Sequence, residues 1–373
     1  MAHKVSIILV FYNDQQYLAE TLDAILAQTF QDFEIILLDN GSTDQSRNIV
    51  ENYAKKDRRI KIITNKKNYH LGGENLAKLV KATSGEYIKL FCADDIMLPN
   101  CLAKQVEFLD HNPDHIACFS HMQCITETGK LKKKLFKCAL KNDRFTYLNH
   151  IFYQGNAFAF PAGMVKKSAL EPQEFDNRLR HFFDVTLWIK LLKKGECKVL
   201  DEPLVQYRLR GKQGNVSDIS KDRTRETLYL FEMNFIYDDF FNLRDLKTYQ
   251  KIFPESNSLI KNIKTNETEL LEFVTCLLLY NRENFSPFHF SIYRNIALQK
   301  MLRLTADKKL MTKITEKFGY SNLDLYLLAE KYNEGLDYEF ASRKRNKISR
   351  LFYKLVTRKK FRKLAQENKI SFC

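Results

Sequence analysis

Two short apolar runs separated by a helical pattern most constrain how this chain folds. Val5–Phe11 (VSIILVF) and residues 33–38 (FEIILL) are almost continuously apolar, which is typical of strands buried on both faces of a parallel sheet. Between them, over residues 17–26, apolar side chains recur at the spacing of a helix. This order predicts a strand–helix–strand unit and therefore an α/β fold.

Two carboxylates follow the fourth predicted strand. Residues 59–64 and 86–91 continue the strand pattern, and Asp94 and Asp95 come directly after the last of these strands. Ligands of open α/β sheets bind at the carboxyl ends of the strands, and paired carboxylates suit Mg²⁺ or Mn²⁺ that bridges phosphates. This segment alone is equally compatible with a solvated turn that caps the helix following Pro99.

The turn after the first strand excludes two common nucleotide-binding folds. Residues 12–15 (YNDQ) contain no glycine, and the sequence has no GxxxxGK[ST] loop. Rossmann dehydrogenases and P-loop proteins need such glycines because the phosphates approach the backbone closely. A nucleotide bound here is therefore expected to be held by side chains and a metal ion.

Length and composition predict a cytosolic protein with two domains. The chain has 373 residues, no apolar run of the roughly 18 residues that span a bilayer, and no secretory leader. Its eight cysteines form no CxxC pair, as expected of reduced thiols. We place the boundary after residue 215, because residues 216–373 lose the strand pattern and consist of long helical stretches.

The positive charge is concentrated at the carboxyl end. The net charge is +15, and residues 341–373 contain twelve basic residues against the single acid Glu367. An apolar helical stripe over residues 348–356 suggests a peripheral helix on an anionic membrane surface, with a solvated or partner-docking basic helix as the equal alternative. Nucleic acid is not expected, since a basic tail by itself provides no base recognition.

Four segments together resemble a known family. They are VSIILVFYN, FEIILLDNGSTD, residues 68–77 (NYHLGGENLA) and SGEYIKLFCADD, in this order. Over about residues 4–210 they resemble family 2 glycosyltransferases of the GT-A fold. The resemblance implies a Rossmann-like, mixed, mostly parallel sheet flanked by helices, to which the α-helical C-terminal domain is appended.

The resemblance implies a nucleotide site at the ends of the first three strands. Asp39 matches the aspartate that contacts the nucleotide base, and Val10 and Tyr12 match the strand-end positions beside it. Asn68 and Asn75 match polar positions near the sugar nucleotide. Turn and cap chemistry is the structural alternative for each of these residues.

The same resemblance implies a metal site and a catalytic base. Asp95 is expected to bind Mn²⁺ or Mg²⁺, with Asp94 as a ribose contact or second metal ligand. Asp184 matches the base of the E-D-x-x-L-W helix in inverting members, although it could simply complement the helix N-terminus. Near the family's PL-x-x-Y-R-x-H segment, Arg210 is expected to hold the diphosphate. Arg208 is expected to bind the nucleotide sugar, with a salt bridge at the strand end as the equal alternative.

Four residues depart from the family pattern. Asn40 replaces the second aspartate of DDGS, Cys92 replaces the first acid of D-x-D-D, Phe183 replaces the glutamate before Asp184, and Arg210 replaces a histidine. The predicted activity is an inverting, metal-dependent transfer of sugar from a nucleoside diphosphate, with UDP favoured. The expected acceptor is a hydroxyl of a surface glycan or lipid-linked glycan, and the alternative is an inactive scaffold in a glycan assembly complex.

Overall fold

The chain forms two compact units. The structure is a computed structural model that describes residues 3–69, 72–141, 143–176, 178–210, 223–281 and 287–330, without the side chains of 223–230 and 287–292. The first unit is Met1–Ser258 and the second is Leu259–Cys373. The division predicted after residue 215, which separates the sequence motifs from the helical remainder, stays a prediction.

A nine-stranded mixed sheet forms the centre of the first unit. The strand order is β3-β2-β1-β4-β8-β6-β9-β5, with β7 paired to β6. The strands are β1 (Val5–Phe11), β2 (Phe33–Asp39), β3 (Ile60–Thr64), β4 (Tyr87–Cys92), β5 (Ile96–Met97), β6 (His115–Ile125), β7 (Leu131–Phe136), β8 (Met164–Lys166) and β9 (Glu196–Arg208).

Eight helices accompany the described part of this sheet. They are α1 (Leu18–Leu26), α2 (Ser46–Lys56), α3 (Gly72–Ala82), α4 (Cys101–His111), α5 (Arg144–Gln154), α6 (Phe183–Lys194), α7 (Arg223–Phe241) and α8 (Leu246–Ile252). The predicted mixed sheet flanked by helices is thus confirmed.

The parallel strands bring their carboxyl ends to one edge. β3, β2, β1 and β4 run parallel, and every residue of β2 is buried. Phe11 pairs with Asp39, and Val10 pairs with Cys92. Because the strands end in register, the residues after β1, β2, β3 and β4 converge on the same side of the sheet.

The later strands close the sheet around the predicted carboxylates. β9 runs parallel to β6, while the short β5 pairs antiparallel with β9 through Met97 and Val205. This pairing brings the end of β9 beside the segment that follows β4. Arg208 and Asp95, far apart in sequence, become neighbours as a result.

An aromatic core holds α6 in place. Trp188, the sole tryptophan of the chain, is fully buried on this helix and lies edge-on to Phe119 at 4.9 Å between ring centroids. Val185, Leu187 and Leu192 are also buried. Burying several large side chains fixes the helix firmly, at roughly 1.5–3 kcal/mol for each one.

The second unit is helical, as the sequence predicted. Its helices are α10 (Leu270–Tyr280), α11 (Pro287–Leu304) and α12 (Lys308–Phe318), after a single turn, α9 (Asn257–Ile260), at the boundary, and residues 322–330 are helical too. Phe273 and Met301 are fully buried. Among the described helices, none is both long and apolar enough to cross a membrane. The basic segment 341–373 lies outside the described residues.

Candidate active site

The loops after β1 and β2 are joined by hydrogen bonds. Asn13 has a left-handed backbone (φ 54°), which asparagine tolerates better than most residues. Its Oδ1 accepts from the Thr43 N–H at 2.8 Å, and the Asp14 N–H donates to Ser46 Oγ at 2.8 Å. The two loops therefore form one continuous rim at the carboxyl edge of the sheet.

Asp39, Val10 and Tyr12 lie together on this rim. Asp39 is 3% exposed, its Oδ1 accepts from the Ser42 N–H at 2.8 Å, and its Oδ2 lies 3.6 Å from Arg47 Nη1. Val10 is half-buried, while Tyr12 is 40% exposed at the end of β1. The structure thus brings the predicted base-binding residues together, with Tyr12 offering an accessible aromatic ring.

Asn40 organises the loop after β3 through its side-chain amide. Its Nδ2 donates to Asn68 Oδ1 at 2.9 Å and to the Tyr69 carbonyl at 3.0 Å. Its Oδ1 accepts from Asn65 Nδ2 at 2.9 Å, and Asn65 Nδ2 also donates to Asn75 Oδ1 at 2.8 Å. The predicted residues Asn68 and Asn75 therefore belong to one asparagine network, which the sequence did not reveal.

Two glycines allow this loop to pack closely. Gly41 has φ 79°, and a Cβ there would lie 2.6 Å from the backbone carbon of Lys67. At Gly72 a Cβ would lie 2.7 Å from the ring of Phe183. The first residue of α3 thus packs against the start of α6, where Asp184 lies.

Asp95 is completely buried beneath the site. Its Oδ1 accepts from the Arg208 N–H at 2.9 Å, while its Oδ2 has no hydrogen-bond donor among the described residues. Burial raises the pKa of Asp95 well above its usual range, and the neighbouring Asp94 adds to the rise. A buried carboxylate oxygen without a donor is costly unless a further cation or polar group satisfies it.

Asp94 is the more accessible carboxylate of the pair. Its side chain is 15% exposed, and its Oδ2 accepts from Arg210 Nε at 2.6 Å. Arg210 Nη2 also donates to Asp14 Oδ1 at 2.6 Å. Burial opposes the charge of Arg210, yet Asp94 and Asp14 together raise the pKa of its guanidinium above the ordinary value. A ligand that enters from solvent therefore contacts Asp94 and Arg210 before the fully buried Asp95.

Arg208 is buried and bonded to three separate segments. Its side chain is 1% exposed, and its Nη2 donates to Glu20 Oε2 at 2.6 Å. Its Nε donates to the Asp94 carbonyl at 2.7 Å, and its Nη1 to the Glu127 carbonyl at 2.9 Å. The geometry gives Arg208 a positioning role, and its contact with the nucleotide sugar stays a prediction.

Three potential ligands for a divalent ion cluster at the end of β4. Cys92 Sγ and one carboxylate oxygen each of Asp94 and Asp95 lie within 4.8 Å of one another. Together with the unsatisfied Asp95 oxygen, this donor set fits a divalent cation. Which of the two carboxylates is the principal ligand stays a prediction, and the exposures favour Asp94.

Asp184 lies in the first turn of α6 and is half-buried. Its Oδ2 accepts from Asn156 Nδ2 at 3.0 Å, and its Oδ1 from the Val185 N–H at 2.8 Å. Burial raises the pKa of Asp184 to about 6 despite these hydrogen bonds. A carboxyl group with this pKa is ionised at neutral pH yet basic enough to take a proton from a reacting hydroxyl.

Glu232, on α7, binds the backbone of the segment that leads into α6. Its side chain accepts from the backbone N–H groups of Arg180, His181 and Phe182 at 2.7–3.1 Å. Burial raises the pKa of Glu232, but the nearby His181 ring and the hydrogen bonds from these N–H groups lower it overall. Sequence reasoning missed Glu232, Asn156 and Asp14. Of these three, only Asp14 could have been predicted from the sequence, because it lies in the turn after the first strand.

The class of protein follows from this arrangement. Polar side chains lie at the carboxyl edge of a mixed sheet, with a carboxylate pair after β4 and a separate carboxyl group on α6. This is the architecture of the GT-A fold. The model of glycosyl transferase family 2 matches residues 6–171, and the chain belongs to this family.

Sequence relatives agree with the assignment. An uncharacterised glycosyltransferase of Methanocaldococcus jannaschii is 32% identical over 222 residues, which cover 59% of this chain and 75% of the relative. The putative glycosyltransferase EpsE of Bacillus subtilis is 30% identical over 52% of this chain and 68% of its own length. The protein is therefore a glycosyltransferase.

Solved structures show the same fold. Residues 1–349 of S. aureus TarS in complex with UDP-GlcNAc match with a TM-score of 0.55 and 18% identity, covering 91% of each chain. The same part of TarS in complex with UDP matches equally well. The predicted GT-A fold with a helical C-terminal region is confirmed.

Proposed function

We propose that this protein is an inverting, metal-dependent glycosyltransferase that transfers a sugar from a UDP-sugar to a hydroxyl of a surface glycan. The observation that carries this proposal is the carboxylate pair after β4. Asp94 faces the accessible side, and Asp95 keeps a buried oxygen without a donor among the described residues. Such a pair suits the divalent ion that accompanies a diphosphate.

Asp94 and Asp95 would hold Mn²⁺ or Mg²⁺. When bound, such an ion stabilises the negative charge that develops on the departing diphosphate. Arg210 contributes a second positive charge, and its side chain is 20% exposed beside Asp94. We expect this guanidinium to exchange part of its contact with the carboxylates for the donor phosphates, since arginine binds phosphate through paired hydrogen bonds.

The nucleotide would lie along the rim formed by the loops after β1, β2 and β3. Tyr12 offers an exposed ring for stacking on the base, and Asp39 and Asn68 offer hydrogen-bond acceptors. UDP is the nucleotide to test first, because the TarS structures contain UDP or UDP-GlcNAc.

Asp184 would act as the general base. Its raised pKa, about 6, matches the removal of a proton from the attacking acceptor hydroxyl. Asn156 and the Val185 N–H fix the direction of the carboxylate. An in-line attack with this base on the far side of the sugar would invert the anomeric configuration.

The acceptor and the cellular position follow from the sequence hypotheses. We propose a capsule, lipopolysaccharide or similar glycan, free or lipid-linked, as the acceptor. The basic segment 341–373 would hold the enzyme at the inner face of the plasma membrane by attraction to anionic lipid. No nucleic acid partner is proposed.

Calorimetric titration of the full chain tests the donor site. UDP and GDP are each titrated with and without Mn²⁺, and we expect binding of UDP that requires the metal. Asp94→Asn should lower this affinity at least roughly tenfold, because it removes a charged ligand. The matched control is Asp114→Asn, at an exposed position that precedes β6.

A turnover assay distinguishes an active transferase from the inactive scaffold. Metal-dependent release of UDP from a UDP-sugar, lost in Asp94→Asn and retained in Asp114→Asn, is the expected result. Absence of binding to both nucleotides under all metal conditions would contradict the proposal and favour the scaffold alternative. The anomeric configuration of the product, read by NMR, decides between inversion and retention.

A further inference from the structure

Cys92 is a departure from the family pattern that the proposed function does not use. It is the last residue of β4, it pairs with Val10 on β1, and it is only partly buried. The six other cysteines that the structure describes are all buried. Cys92 is therefore the one among these seven that is not fully enclosed by the fold.

We propose that Cys92 supplies a sulfur ligand to the divalent ion, so that the site prefers transition-metal ions to Mg²⁺. This inference rests on the proposed function, because it concerns the same metal site. Thiolates favour softer cations, whereas Mg²⁺ strongly prefers oxygen ligands in a near-octahedral arrangement. Among first-row divalent ions, Mn²⁺ would then bind more weakly than Co²⁺ or Zn²⁺.

The distances permit a shared ion. Sulfur binds such metals at about 2.3 Å and carboxylate oxygen at about 2.0–2.2 Å, so two ligands of one ion lie no more than roughly 4.5 Å apart. The ligand atoms of Cys92, Asp94 and Asp95 all lie within 4.8 Å of one another. Small side-chain rotations are enough to bring the three atoms onto one ion.

An independent observation points to a bound cation at this cluster. Asp95 is 0% exposed, and its Oδ2 has no donor in the part of the chain that the structure describes. Arg210 contacts Asp94 through Oδ2, which leaves Oδ1 of Asp94 for another partner. An ion between the two carboxylates and Cys92 would satisfy the buried oxygen, with the thiol proton passing to solvent as the Sγ–metal bond forms.

Cadmium provides a direct spectroscopic test, because a cadmium–thiolate bond absorbs in the ultraviolet. Cd²⁺ is titrated into a Cys373→Ser parent, since Cys373 lies outside the described residues and could add a signal of its own. We expect a charge-transfer band with a stoichiometry of one ion per chain. Cys92→Ser in the same background should abolish this band, and Asp114→Asn should keep it.

Metal selectivity provides the second measurement. Calorimetric affinities for Co²⁺, Mn²⁺ and Mg²⁺ are compared in the parent and in Cys92→Asp, which restores an oxygen ligand. The ratio of Co²⁺ to Mg²⁺ affinity should fall roughly tenfold or more in Cys92→Asp. Circular dichroism confirms that the variants fold.

The outcomes separate this inference from the proposed function. A band that persists in Cys92→Ser, or an unchanged selectivity in Cys92→Asp, would overturn the role of Cys92 even if the parent releases UDP. The cadmium band requires no donor, so it can appear when the parent fails to bind any nucleotide. That combination would support a thiolate metal site and contradict the transferase proposal.

Discussion

Asn40 replaces an acid of the family pattern with an amide that donates two hydrogen bonds. Its Nδ2 faces two acceptors, Asn68 Oδ1 and the Tyr69 carbonyl. A carboxylate at this position would place negative charge against both oxygens. The departure from DDGS is therefore matched to the loop after β3, which presents two oxygens that need a hydrogen-bond donor.

Restoring the family aspartate at this position should weaken the protein. Asn40→Asp leaves two acceptors without their donor, and we expect the free energy of unfolding to fall by about 1–3 kcal/mol at pH 7. Urea unfolding measures the change. Asn48→Asp, at an exposed position on α2, is the matched control and should stay within about 0.5 kcal/mol. Equal stability of the two variants would show that the hydrogen bonds of Asn40 do not stabilise the fold.

Asp184 should show opposite effects on activity and stability. Asp184→Asn removes the base, and kcat should fall about 10²–10⁴-fold. Because burial raises the pKa of Asp184 to about 6, the ionised form weakens the fold at pH 7. The unfolding midpoint of Asp184→Asn should therefore match or exceed that of the parent at pH 7, an advantage that shrinks as the pH falls from 6 towards 4.

The pH profile of the parent checks the same assignment. A base must be ionised, so kcat/KM should fall tenfold for each pH unit below about 6. Loss of activity in Asp184→Asn together with a lower unfolding midpoint would instead indicate a structural role. Asp114→Asn controls for a general effect of removing one negative charge.

Among the elements, the parallel strands were the most predictable. Residues 33–38 and 59–64 were predicted as strands, and the structure has Phe33–Asp39 and Ile60–Thr64. A strand buried on both faces needs a continuous apolar run, which is visible in sequence. The pairing of β5, β6, β8 and β9 was not visible, because an apolar pattern does not specify the neighbouring strand.

The site residues were predictable in position but not in environment. Asp94 and Asp95 were placed correctly after a strand, yet their different exposures depend on the end of β9, more than a hundred residues later. For Arg208 the sequence left nucleotide-sugar binding and a salt bridge at the strand end as equal alternatives, and in the structure its side chain donates to two backbone carbonyls and to Glu20. These contacts join residues that are far apart in the sequence, so no local sequence pattern predicts them.

The contact between α3 and α6 is sensitive to one methyl group. Gly72→Ala places a Cβ 2.7 Å from the Phe183 ring, and we expect a loss of about 1–3 kcal/mol in stability from overpacking. Alanine is the better helix former, so helix propensity works against this result. Activity should fall too, because Phe183 immediately precedes Asp184.

A second substitution tests the cause. Gly72→Ala combined with Phe183→Leu should recover most of the lost stability, since the smaller side chain leaves room for the methyl group. Phe183→Leu alone serves as the control for its own effect on packing. If the double variant does not recover stability, the destabilisation by Gly72→Ala arises elsewhere, for example in the loop after β3.

At the scale of the whole molecule, the net positive charge is concentrated in a different part of the sequence from the proposed catalytic residues. Residues 341–373 hold twelve basic residues, whereas the described motifs lie in the first unit. Deleting residues 341–373 should abolish binding to vesicles that contain anionic lipid, because each basic residue contributes about 1 kcal/mol near such a surface. Vesicle co-sedimentation measures this binding, and UDP affinity should stay unchanged.

Neutral vesicles and added salt are the controls for this experiment. Binding of the full chain should be weak on neutral vesicles and should decline between about 0.05 and 0.5 M salt, because electrostatic attraction is screened. Retained binding after deletion would contradict the membrane role of the tail. A simultaneous loss of UDP affinity would indicate that the deletion damages the transferase itself.

The buried position of Arg208 affects how natural variants of this protein would behave. Its guanidinium joins α1, the loop after β4 and the turn before β7, so its replacement would leave carbonyls and Glu20 without their partner. Leaving a buried hydrogen-bond acceptor without its donor costs about 1–3 kcal/mol, a large share of the stability of most domains. Variants at this position would consequently lower the amount of protein in a cell, so that a loss of transferase activity there would not by itself indicate a contact with substrate.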